Sequence, residues 1–60
     1  MRMHEWHTAQ EDKARRLVAA LAIDSDLSDE VRERRIRRWA DLADWHMDRA
    51  QSWIRWDAAA

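Results

Sequence analysis

The sequence predicts an all-α chain: an antiparallel helical hairpin that dimerises into a four-helix bundle. Three observations carry that expectation. Glycine and proline are absent, apolar residues recur three and four apart in two long blocks, and a short acid-rich stretch separates the blocks. Without glycine, β-hairpin turns and phosphate-cradling loops lose the residue that enters positive φ without strain. The absence therefore argues against β structure, a P-loop and a dinucleotide-binding fingerprint. Ala, Arg, Asp, Glu and Leu dominate instead, which is a composition of helix formers.

The first helix is expected over about 3–23. Its apolar stripe is Met3, Trp6, Gln10, Ala14, Leu17, Val18 and Leu21, the spacing of one helical face turned to a core. Thr8 and Glu11 have the spacing of a capping box, so a start at Thr8 competes with one near Arg2. Glu11 with Arg15 and Asp12 with Arg16 place acid before base on the outer face, each pair worth about 0.3 kcal/mol.

An acidic turn over 24–28 interrupts the pattern. Carboxylates oppose the dipole at the end of one helix and favour it at the start of the next. Ser28 is the natural N-cap, with Asp29 and Glu30 in the first turn. So short a link forces the helices antiparallel. Asp24, Asp26 and Ser28 also resemble the opening of an EF-hand calcium loop. The sixth position, however, is Asp29 where glycine is required, and the twelfth is Arg35 where glutamate is required. The stretch therefore reads as a capped turn.

The second helix is expected over about 29–57, with a main stripe of Ile36, Trp39, Ala40, Ala43, His46, Met47, Ala50, Trp53 and Ile54. Glu30 with Arg34 and Glu33 with Arg37 support its outer face. At 1.5 Å per residue it is roughly 43 Å long against about 24 to 33 Å for the first helix. With the turn centred near Asp26, Trp6 falls level with His46, and Trp53, Ile54 and Trp56 overhang. A separate ladder of Leu42, Trp45, Arg49 and Trp56 lies roughly 120° from the main stripe. Each large side chain left in water forgoes about 1.5 to 3 kcal/mol. Two hairpins paired as a four-helix bundle would cover both surfaces. The expected interface is Trp39, Leu42, Trp45, Arg49, Trp53, Ile54 and Trp56.

Length points the same way. Sixty residues make one domain, 1–60, which is marginal without reinforcement. The chain has no cysteine, so disulfides and thiolate metal sites are excluded and oligomerisation is the leading reinforcement.

Chemistry-bearing clusters are few. His4 and His7, with His46 level with them, could hold a divalent cation, although no complete ligand motif such as His-Glu-x-x-His is present. Arg34, Arg37 and Arg38 could contact phosphate, but Glu30, Glu33, Asp41 and Asp44 flank them and the net charge is −1. Trp53, Ile54, Arg55 and Trp56 suit either a membrane interface or a protein interface, and the neighbouring Asp57 favours the protein. The hydroxyls are Thr8, Ser25, Ser28 and Ser52, none with a base beside it by spacing. No apolar run approaches the ~20 residues that span a bilayer, and the first residues lack an apolar signal region. The sequence thus predicts a cytoplasmic, non-enzymatic protein–protein interaction module of the adaptor or inhibitor type. It acts as a homo-oligomeric bundle, without a cofactor or a membrane partner. Its alternatives are a nucleic-acid-binding regulator and a histidine-based metal-binding bundle.

Overall fold

The structure, a computed structural model, describes residues 2–59. Two helices, α1 (Met3–Ala22) and α2 (Asp29–Ala59), pack as an antiparallel hairpin. Both helices and the link fall where the sequence places them, to within two residues.

α1 begins at Met3. Arg2 is extended, and its carbonyl accepts the first helical bond from the Trp6 amide at 3.1 Å. Thr8 is therefore interior, and no capping box forms. Its Oγ1 donates back to the His4 carbonyl at 2.8 Å, the usual outlet for a mid-helix hydroxyl. α2 is capped as expected, with the Val31 amide donating to Ser28 Oγ at 3.3 Å. Glu11–Arg15, Asp12–Arg16 and Glu30–Arg34 form their ion pairs. Glu33 and Arg37 do not.

The link is built without glycine because no described residue has positive φ. Asp24 Oδ1 accepts the Asp26 amide at 2.9 Å, closing a local turn. Arg32 then ties the link to α2. Its guanidinium donates to the Asp24 carbonyl at 2.8 and 3.1 Å, to the Leu27 carbonyl at 3.0 Å and to Asp29 Oδ1 at 2.8 Å. The link thus lies against the first turns of α2, where it screens part of the longer helix.

Across the seam Trp6 packs on His46 and His7 bonds His46, the level at which the sequence places Trp6. α2 is the longer helix, 31 residues against 20, and the His4 imidazole comes within 3.6 Å of the Asp57 carboxylate near its end. Ile54 and Trp56 are 50 and 68% exposed.

What lies between the helices is narrower than the sequence stripes suggest. Most buried and half-buried positions follow a three–four alternation: His4, His7, Glu11, Ala14, Val18 and Leu21 on α1, and Arg32, Ile36, Trp39, Ala43, His46, Ala50 and Trp53 on α2, with Ala9, Gln10, Val31 and Ala40 half-buried beside them. This is the seven-residue repeat of coiled-coil packing. Its innermost apolar members are Ala14, Ala43 and Ala50, and no large side chain is fully buried. Small side chains allow the backbones to approach closely, and the indoles of Trp39 and Trp53 on the same row stay half-buried. Trp6 is turned to the flank, leaving His7 innermost on α1.

The alanine seam predicts a specific vulnerability. Ala43 is wholly inaccessible to solvent, so Ala43→Leu should destabilise the chain by about 1–3 kcal/mol through overpacking. Urea denaturation followed by circular dichroism measures this; an unchanged midpoint would show that the helices have room to spare.

Candidate functional site

The same repeat sorts the remaining side chains onto two faces of a slab 48 Å long and 16 Å wide. Contacts across the seam fix which flank of α1 adjoins which flank of α2. On one side Arg15 bonds Asp44 at 3.2 Å and reaches the Met47 sulfur at 4.0 Å. On the other, Trp6 packs edge-on against His46, and Trp45 against His7, at centroid separations of 5.6 and 5.7 Å.

The aromatic side carries Met3, Trp6, Gln10, Lys13, Leu17 and Ala20 from α1. From α2 it carries Arg35, Arg38, Leu42, Trp45, Arg49, Ser52 and Trp56. No carboxylate lies among these positions, and four are basic. The opposite side holds Glu5, Asp12, Glu30, Glu33 and Asp44 with Arg15, Arg37, Met47 and Ile54. A near-neutral chain thus has one acid-free aromatic face and one acid-rich face.

Most of the sequence-predicted interface converges on the aromatic face. Leu42, Trp45, Arg49 and Trp56 lie on it, and the half-buried Trp39 and Trp53 border it along the seam. Ile54, half exposed, belongs to the other side. Trp45 and Trp56 are 48% and 68% exposed, and the Arg49 guanidinium stands 5.2 Å above the Trp45 ring. Arg49, Ser52, Trp53 and Trp56 line an open groove of about 330 Å³. The predicted phosphate-binding arginines do not stay together. Arg38 joins the aromatic face. Arg34 pairs with Glu30 at 3.3 Å, and Arg37 lines a smaller groove with Glu30, Glu33 and Arg34. Sequence reading missed Lys13 and Arg35 as members of the face; their shared heptad spacing with Trp6 and Leu42 was the available signal.

Beneath the aromatic face lies a buried imidazole pair. His7 Nδ1 and His46 Nδ1 are 2.8 Å apart, so one ring donates its Nδ1–H and the other accepts on a bare nitrogen. Trp6 and Trp45 pack edge-on around the pair. The three histidines expected to share a cation are therefore split. Two direct their Nδ1 atoms at each other, while His4 lies apart, 3.6 Å from the Asp57 carboxylate. Among the described residues, no three His, Asp or Glu side chains come together to hold a metal ion. None of the described helices is long and apolar enough to cross a membrane.

Burial lowers the His7 pKa from its ordinary value, and nearby His46 and Arg49 lower it further. Just below the unfolded value of 6.5, the unfolded chain binds a proton that the folded chain refuses. Stability is therefore complete above that pH and declines as pH falls through it towards the depressed folded value. Thermal melts should show a lower Tm at pH 5 than at pH 7.5, with a shallower slope in His7→Gln. Equal melting at both pH values would contradict a neutral buried His7.

No protein-family model matches this chain, and neither does any curated protein or solved structure.

Proposed function

We propose that the chain is a small non-enzymatic interaction module of the adaptor or inhibitor type, self-associating as a helical bundle through its acid-free face. One observation carries the reading. Trp6, Leu42, Trp45 and Trp56 remain 42, 38, 48 and 68% exposed on a single side that lacks carboxylates. Soluble monomers rarely leave contiguous apolar patches beyond a few hundred Å² uncovered. Tryptophan and arginine are also the residues in which binding energy concentrates at protein interfaces. A hairpin with no fully buried large side chain has a thin core of its own, so covering this face adds a large fraction of its total stability.

The hydroxyl chemistry supports a binding rather than a catalytic role. Thr8 and Ser52 both donate to carbonyls one turn back, and Ser28 is engaged as a cap. The groove beside Arg49 is open and shallow, a seat for a projecting side chain more than an enclosure for a reaction.

Sedimentation velocity across the micromolar range should give a dimer or larger species. Trp56→Ala should weaken association at least about tenfold, the equivalent of ~1.4 kcal/mol. A monomer throughout would remove the reading.

A second reading is favoured by the convergence of Lys13, Arg35, Arg38 and Arg49 beside three indoles: binding of single-stranded nucleic acid, by phosphate neutralisation with base stacking. Anisotropy with a labelled oligonucleotide should then show log K falling against log salt with a slope of about −3, for four neutralised phosphates. No binding at low salt would exclude it.

A further inference from the structure

The geometry points to an acidic, amphipathic segment of another protein, helical when bound, as the target of the acid-free face. The inference rests on reading that face as an interaction surface and adds the chemistry of the partner.

Charge selects that chemistry. Lys13, Arg35, Arg38 and Arg49 are all exposed. Among the described residues none of the four pairs with a carboxylate, whereas Arg15, Arg16, Arg32 and Arg34 are each held by one. Four bases without a counter-charge thus stand together on the side that has no acid. Self-association can cover the apolar surface, but a second copy of this face supplies no carboxylate. An acidic segment supplies both cover and counter-charge, and it competes with the copy for the same ground. Complementary charge also steers encounter and rejects partners of the wrong sign.

The apolar side chains select a protein over a nucleic acid. Leu17 and Leu42, 42 and 38% exposed, lie among the bases, and an aliphatic group offers a nucleobase no ring to stack on. They suit an amphipathic helix, which lays its apolar side on a hydrophobic surface. Arg35 and Arg49 are separated by about 21 Å of α2, so a bound helix of similar length can reach all four bases. At the end of that span, the groove lined by Arg49, Ser52, Trp53 and Trp56 seats one large apolar side chain, with the Arg49 guanidinium beside it to meet a carboxylate.

The probe is a fluorescein-labelled helical peptide of glutamate, leucine and alanine, about 16 residues long to match the span. Anisotropy at low salt should show it binding at least about tenfold more tightly than the same peptide with glutamine in place of glutamate. Binding should weaken as salt is raised. Arg38→Gln and Arg49→Gln should each weaken it about threefold or more. Arg34 is paired with Glu30 away from this face, and Arg34→Gln should leave binding unchanged. Equal binding of the acidic and neutral peptides would overturn the inference, as would a single-stranded oligonucleotide bound more tightly than the acidic peptide. A chain that dimerises in sedimentation yet binds no acidic peptide would also overturn it and leave the interaction reading standing, whereas a monomer that binds nothing would remove both.

Discussion

The close approach of two helices along an alanine seam is the constraint on which the rest of this structure depends. Ala14, Ala43 and Ala50 occupy the innermost apolar positions, and the rings that are buried between the helices are the smaller imidazoles of His7 and His46. Trp39 and Trp53 are half-buried along the seam, and Trp6, Trp45 and Trp56 lie exposed outside it. A hairpin with leucines at those positions would hold its helices further apart and could bury larger side chains inside one subunit. Here several large apolar groups, among them Trp6, Trp45 and Trp56, are on the outside, and the core between the helices is small.

An alanine seam packs almost equally well in neighbouring registers, so polar contacts must choose among them. Two do so at different heights: the His7–His46 bond lies towards the open end, and Arg32 ties the link to α2. A one-turn slip would break the imidazole bond. The imidazole pair also couples the register to proton concentration, because a bond between two Nδ1 atoms needs one of them bare. The same pair supports Trp6 and Trp45 from below, so the internal polar contact and the external aromatic surface form one mechanical unit.

Charge segregation follows from the same repeat. A net charge of −1 conceals one side with four bases and no acid and another with Glu5, Asp12, Glu30, Glu33 and Asp44. Opposite charges that might have neutralised one another locally are held on different sides by the rigidity of the two helices. The acid-free surface is thus richer in arginine and tryptophan than composition suggests. Arginine suits such a surface, since its planar head group stacks on indole and loses less hydration than an ammonium when covered.

The helices, the acidic link, the Ser28 cap and the antiparallel arrangement were legible in the sequence because they depend on local chemistry and period: helix formers, capping residues and spacings of three and four. The ladder of Leu42, Trp45, Arg49 and Trp56 was legible for the same reason, being rows on one helix. Rotation and register were not. The seam positions include histidines, Glu11 and Arg32, which hydropathy does not mark as interior, so the stripe centred on Trp6 looked more convincing than the one centred on His7. The Arg32 bonds that hold the link to the first turn of α2 were likewise not legible, because they depend on the course of the link in space. The sequence by itself determined which faces each helix has. Only the tertiary structure decided which faces adjoin, because that depends on how closely two backbones can approach.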